Sequence, residues 1–269
     1  MIDLHTHSEH SHDSVCPIED MCKAQIAKGT KYWAVTDHCD GWFFTEWNVF
    51  EPIRRSYDTV QALKPKYADQ IELLSGVEIS EGFWYPDFGS VAEKLCDYDF
   101  IIGSAHAVRF NGERTPYSMV DFSQLDSATV HAYLDTYFDE VQVMFDQSDF
   151  DVLAHLTCPL RYITGKYGHA VDMTRYADKM TAILRRTIDE GKALEVNTSC
   201  YGSMGVWMPT ADIIRQYYEL GGRLITVGSD AHVTEHAASY IPQALAMLKE
   251  IGFEHVYYYK GRKPYSVGI

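Results

Sequence analysis

Seven apolar runs of strand length, each followed by a polar loop and a helical pattern, restrict this chain more than any other feature. They cover residues 2–7, 32–37, 71–79, 100–105, 152–156, 193–198 and 224–229. None of them alternates apolar with polar residues, so each reads as a parallel strand buried on both faces. Helical patterns fill the gaps at 17–28, 51–64, 90–96, 127–147, 173–190, 210–220 and 241–251. The first opens on Pro17 and stops at Gly29, matching the usual start and stop signals. The longest carries Val130, Tyr133, Leu134, Tyr137, Phe138, Val141 and Met144 at helical spacing, a stripe that reads as core packing. Seven β–α units in series predict a closed parallel barrel with right-handed crossovers and helices outside. An open doubly wound sheet is the alternative, but the chain has no Gly-x-Gly-x-x-Gly loop to support it. No repeat or linker divides the sequence, so residues 1–269 are expected to form one domain, a size usual for such barrels.

Charge and cysteine usage narrow the partners. The net charge is −15, which argues against a nucleic-acid polymer or an anionic membrane surface. No apolar run approaches the ~20 residues of a membrane span, and the start does not resemble a signal peptide. Cys16, Cys22, Cys39, Cys96, Cys158 and Cys200 form no Cys-x-x-Cys pair and no disulfide framework, which suits free thiols in a reducing cytoplasm. Homo-oligomerisation is left open.

The chemistry lies where the strands end. His5 and His7 flank Thr6 in an extended segment, so both imidazoles point to one side, and His10 and His12 follow in the loop. The later strands end in Thr36-Asp37-His38, Gly76-Val77-Glu78, Ser104-Ala105-His106, Ala154-His155-Leu156, Glu195-Val196-Asn197 and Ser229-Asp230-Ala231-His232. A parallel barrel gathers its C-terminal strand ends on one face. Imidazoles and carboxylates packed there need charge compensation, which metal ions supply. Nine candidate ligands exceed the needs of one four- or five-coordinate ion.

In order, His-x-His with a further ligand near residue 12, Thr-Asp-His, Gly-Val-Glu, Ser-Ala-His, Ala-His-Leu and Ser-Asp-Ala-His resemble the polymerase-and-histidinol-phosphatase (PHP) family, and within it the monofunctional histidinol-phosphatase branch. The resemblance spans residues 5 to 232 and implies a distorted seven-stranded parallel (β/α)7 barrel of the TIM type with three divalent metals. His5, His7, Glu78 and Asp230 would hold one ion. Glu78 would bridge to a second held by His106 and His155, and His12, His38 and His232 would hold the third. Asp13 is the fallback for His12. His10 matches no ligand of the family, and His131, His169, His236 and His255 are read as structural or exposed. Zn, Fe and Mn all suit such donors.

The implied reaction is hydrolysis of a phosphate monoester by a metal-bridging hydroxide, with Glu78, Asp230 and His232 carrying catalysis and L-histidinol phosphate as substrate. Asp37 and Asn197 stand where they could orient ligating imidazoles. Arg161 resembles the family's phosphate-contacting arginine, and its planar fork can grip two phosphate oxygens. The histidinol-phosphatase pattern Asn-Thr-Ser-Gly-Leu-Arg is here Asn197-Thr-Ser-Cys-Tyr-Gly202, so a second phosphate arginine is missing, and Arg109 is the candidate substitute. Aromatic loops at 42–47 and 83–85 could wall a substrate pocket or simply pack at the barrel mouth. Competing readings are a PHP phosphoesterase for a nucleotide or sugar phosphate, an amidohydrolase barrel, and a non-catalytic metal-binding module. The amidohydrolase reading lacks the lysine such barrels often place at a strand end.

Overall fold

The structure is a computed structural model and describes residues 1–43 and 48–269. In chain order the strands are β1 (Ile2–Asp3), β2 (Tyr32–Val35), β3 (His38–Asp40), β4 (Glu72–Ser80), β5 (Phe100–Ser104), β6 (Ala107–Phe110), β7 (Glu113–Pro116), β8 (Val152–Leu153), β9 (Ala193–Asn197), β10 (Ile225–Gly228), β11 (His255–Lys260) and β12 (Lys263–Gly268). Seven of them pair in parallel in the order β1-β2-β4-β5-β8-β9-β10, with β3 adding to β4 beyond the end of β2. The seam between first and last strands is stitched by main-chain bonds from Leu4 to Val227 (3.0 Å), Asp230 to His5 (2.7 Å) and His7 to Ala231 (2.9 Å). A nearly closed seven-stranded barrel in a single domain results, as the strand pattern requires.

The helices are α1 (Ile18–Ala27), α2 (Phe50–Tyr67), α3 (Pro86–Ala92), α4 (Ser127–Gln147), α5 (Ala177–Asp189), α6 (Tyr201–Met204), α7 (Ala211–Glu219) and α8 (Ile241–Ile251). The Asp126 side chain caps α4 by accepting from Thr129 N at 2.8 Å, and its predicted stripe is buried from Val130 to Met144. Barrel residues such as Phe100, Ile101, Leu194 and Val227 pack in the main core, while Trp33, Val35 and Leu73 form a second cluster with Ile18, Met21 and Cys22 of α1. No helix among the described residues is long and apolar enough to cross a membrane. All six cysteines are free thiols.

Three departures from the sequence pattern matter. The helix expected at 90–96 forms four residues earlier, because Pro86 is preset for the first helical turn. Two hairpins were not anticipated: β6–β7 beside the barrel mouth and β11–β12 at the opposite end. Asn111-Gly112 and Gly261-Arg262, all at positive φ, make their turns. A π-helical turn at Arg161–Lys166 follows the fifth barrel strand.

Candidate metal centre

Glu78, on β4, is the hub of the C-terminal face and is fully buried. Its Oε1 lies 2.9 Å from His155 Nε2 and 3.1 Å from His106 Nε2. Its Oε2 lies 3.0 Å from His38 Nδ1, 3.2 Å from His5 Nε2 and 3.5 Å from His7 Nε2. Asp230, which follows β10 at a left-handed φ of 56°, places Oδ1 3.3 Å from His7 Nε2 and 3.8 Å from His5 Nε2. Asp tolerates that backbone region better than most residues, and the turn carries its carboxylate to the histidines.

Eight of the nine predicted ligands fall in overlapping groups whose donor atoms lie within 4.8 Å of one another: His5–His7–Asp230, His5–Glu78–His155, His7–His38–His232 and His38–Asp40–His106. The third expected set was His12, His38 and His232. His7 joins His38 and His232, whereas His12 stands at the rim with Nδ1 3.6 Å from Asp40 Oδ2. Asp13, the fallback, puts Oδ2 3.2 Å from His232 Nε2 and 3.6 Å from His38 Nε2. The His12 ring lies 5.2 Å from the His38 ring, so both loop residues stand beside the third group.

The donor set fits divalent cations. The Nε2 atoms of His5 and His7 face each other at 3.1 Å, and those of His106 and His155 at 3.4 Å. Two imidazole lone pairs at that distance repel unless a proton or a metal lies between them. His38 Nδ1 and His232 Nε2 are buried without an aligned hydrogen-bond partner. Burial pushes the carboxyls of Glu78 and Asp230 up, but the surrounding imidazoles outweigh it and hold both well below the usual range. Burial and the neighbouring His38 and His232 push His7 down to about 3. Against the same burial, the adjacent carboxylates push His5, His38, His106 and His232 up, so the site favours positive charge beside its acids, a place that divalent cations can take.

Behind the donors stand groups that orient them. His5 Nδ1 meets Glu195 Oε1 at 2.6 Å, and His106 Nδ1 meets Asp40 Oδ1 at 3.2 Å. His7 Nδ1 lies 3.0 Å from Ser11 Oγ, which donates to Asp37 Oδ1 at 2.7 Å. Such bonds turn the opposite nitrogen toward the metal. The expected role of Asp37 thus runs through Ser11. Asn197 bears on Asp230, donating from Nδ2 to Oδ2 at 3.3 Å, and touches no imidazole among the contacts described. Asp40 and Glu195 were missed in the sequence, although both lie within two residues of predicted groups. Glu81 was also missed. It is buried at a φ of 51°, its Oε1 accepts from His106 N and Ala107 N at 2.5 and 2.8 Å, and burial pushes its carboxyl up to about 7.

A cavity of about 100 Å³ opens over the donors, with Arg161, Trp42, Tyr117 and Tyr162 in its wall. Arg161 is held from behind by Cys200 Sγ at 3.1 Å and by Ser199 Oγ, and its Nη2 lies 3.5 Å from Asp230 Oδ2. Arg109 is not in the cavity wall. It is exposed on β6 with its guanidinium 4.9 Å from the Trp84 ring. Of the aromatic loops, Trp42 lines the cavity, Phe83 and Trp84 are core, and 44–47 fall outside the described residues. The missing second arginine has a steric counterpart: a Cβ on Gly202 would lie 2.5 Å from the Tyr240 hydroxyl. His131 is buried against Tyr176, His169 bonds the Phe122 carbonyl, and His236 and His255 are exposed. His10 belongs to no donor group.

A family model described as the PHP domain matches residues 3–199. The chain is 28% identical to a probable histidinol-phosphatase of Thermotoga maritima, over 95% of this chain and 94% of the other. It is 25% identical to a histidinol-phosphatase of Lactococcus lactis, over 97% and 95% of the two chains. A crystal structure of the Lactococcus lactis histidinol phosphate phosphatase, complexed with Zn, L-histidinol and phosphate, superposes with a TM-score of 0.77 at 23% identity and covers 98% of each chain.

Proposed function

Because this chain belongs to the PHP domain family, we propose that it is a metal-dependent phosphomonoesterase that hydrolyses L-histidinol phosphate to L-histidinol and phosphate. The observation that carries the reading is Glu78, whose two oxygens each serve a different set of imidazoles. Relatives named histidinol-phosphatase that align over nearly the whole chain support the substrate. We propose three ions. Glu78 with His5, His7 and Asp230 would hold one, Glu78 with His106 and His155 the second, and His38 with His232, aided by Asp13 or His12, the third. Zinc is the first candidate, with iron and manganese as alternatives.

Divalent cations held there would neutralise phosphoryl charge and acidify a water nucleophile. The protein's own part is positioning. Arg161, braced by Ser199 and Cys200, presents its fork to the phosphate beside Asp230. Tyr117, Tyr162 and Trp42 wall the space left for the organic group. Asp40, Glu195 and the Ser11–Asp37 pair hold imidazole orientations, so little reorganisation is required when charge develops. Cytoplasmic histidine biosynthesis is the setting that fits this substrate.

A second reading, a phosphatase for a nucleotide or sugar phosphate, draws on Gly202, which stands where the histidinol-phosphatase pattern has its second arginine and lies against the tip of the Tyr240 side chain. A panel of histidinol phosphate, nucleotide and sugar monophosphates and a phosphodiester decides between them. Histidinol phosphate should give the highest kcat/KM by at least tenfold. A preference for another monoester would replace the substrate, and no hydrolysis of any would sink the phosphatase reading.

A further inference from the structure

Glu195 sits inside the barrel on β9, 1% exposed, behind the donors and not among them. Its Oε1 is 2.6 Å from His5 Nδ1, and its Oε2 accepts the main-chain N–H of His155 at 2.7 Å. One carboxylate therefore ties together the ends of β1 and β8, two strands that do not pair in the barrel. A charged group so deeply buried is costly unless each oxygen is used. Gly228 makes the arrangement possible: a Cβ there would fall 2.3 Å from His5 Cβ and 2.8 Å from Glu195 Oε1.

We infer that Glu195 is a positioning residue that dictates which nitrogen of His5 carries the proton, and so leaves His5 Nε2 free to ligate a cation. The inference rests on the metal-centre reading above. A main-chain N–H can only donate, so Oε2 is committed as an acceptor to His155. The other carboxylate oxygen, 2.6 Å from Nδ1, takes its hydrogen from the imidazole. In the neutral, ligating imidazole the lone pair then lies on Nε2, which faces His7 Nε2 at 3.1 Å and Glu78 Oε2 at 3.2 Å. Glutamine has nearly the same shape but breaks this logic. Its oxygen must stay with His155 N–H, so its NH₂ faces His5 Nδ1 and demands the other tautomer, with Nε2 protonated and unable to ligate.

The test measures Zn²⁺ affinity and stoichiometry by competition with a chromophoric chelator, alongside the denaturation midpoint of chelator-stripped protein. Glu195→Gln should weaken Zn²⁺ binding about 10- to 100-fold, the range for groups that orient metal ligands, with the metal-free midpoint little changed. In the Zn²⁺-loaded parent, His5 Nδ1–H should give a strongly downfield proton resonance that is absent from the variant. Unchanged Zn²⁺ affinity, or a lower metal-free midpoint with unchanged affinity, would overturn the inference and leave Glu195 a purely structural residue. Should Glu195→Gln fail to fold, the imidazole ¹⁵N shifts of His5 in the Zn²⁺-loaded parent carry the test: a protonated Nδ1 and a ligated Nε2 are expected, and the reverse assignment overturns the inference. A parent protein that binds no Zn²⁺, Fe²⁺ or Mn²⁺ overturns the metal-centre reading itself, whereas a parent that binds and a variant that binds equally well overturns only the role of Glu195.

Discussion

The two ends of the barrel are built from similar acidic residues used in opposite ways. At the N-terminal end, each buried acid finds a cation or main-chain donors from this chain. Asp99 Oδ2 accepts from Lys64 Nζ at 2.8 Å and Ser75 N at 2.9 Å, and its Oδ1 accepts from Gly261 N at 3.2 Å. Asp151 takes Ile101 N at 2.8 Å and pairs with Arg262 of the terminal hairpin. At the C-terminal end, Glu78 meets five imidazoles and no lysine or arginine among its described ion pairs. The contrast is sharpest between Asp99 or Asp151, balanced by a lysine or arginine, and Glu78, ringed by imidazoles in an arrangement suited to holding divalent cations. What separates the two ends here is the kind of partner the chain gives its central acid.

The largest effect that could break this contrast is at its hub. Glu78→Ala should lower kcat about a thousandfold or more and cut the bound metal, while circular dichroism still shows a folded α/β protein. Full activity would mean that Glu78 bridges nothing. Elemental analysis of protein purified without chelator comes next, with three divalent ions per chain expected. One ion or none would mean that the imidazoles balance the acids unaided. Arg161→Ala should raise KM for the phosphate ester about 10- to 100-fold, the worth of a charge-assisted bond of 1.5–3 kcal/mol, with a smaller change in kcat. Unchanged kinetics would remove it from the phosphate.

At the other end, Arg262→Ala should cost about 2–3 kcal/mol of stability by leaving Asp151 without its cation, read as a lower denaturation midpoint at unaltered kcat/KM. A kinetic defect there would show that the ends are coupled. The smallest effect belongs to Arg109→Ala, which loses one exposed contact with Trp84, worth about 0.5–1 kcal/mol. Kinetics should stay within twofold of the parent, and a large rise in KM would return Arg109 to the substrate.

Legibility followed the type of signal. His5, His7, Glu78, His155 and Asp230 could be read because each sits at the end of an apolar run that must be a buried strand, and topology alone brings such ends together. Asp40 and Glu195 could not be separated from ordinary acids, since their role depends on which imidazole nitrogen they face. The hairpin β6–β7 did carry a signal, Asn111-Gly112, the favoured pair for a two-residue turn. Nothing local marks His12 against Asp13, because a loop's path across the barrel mouth is a packing outcome.

The sequence by itself determined the parallel barrel and the face on which the chemistry lies, since strand periodicity and donor type survive any detail of packing, and its ordered motifs carry the family resemblance that implies the reaction class. Only the tertiary structure decided that Arg109 points away, that Tyr240 fills the space over Gly202, and that Asp40 and Glu195 stand behind the imidazoles. Those are statements about directions and distances of a few ångströms between segments as much as 190 residues apart. They are set by how side chains interlock, which no local pattern encodes.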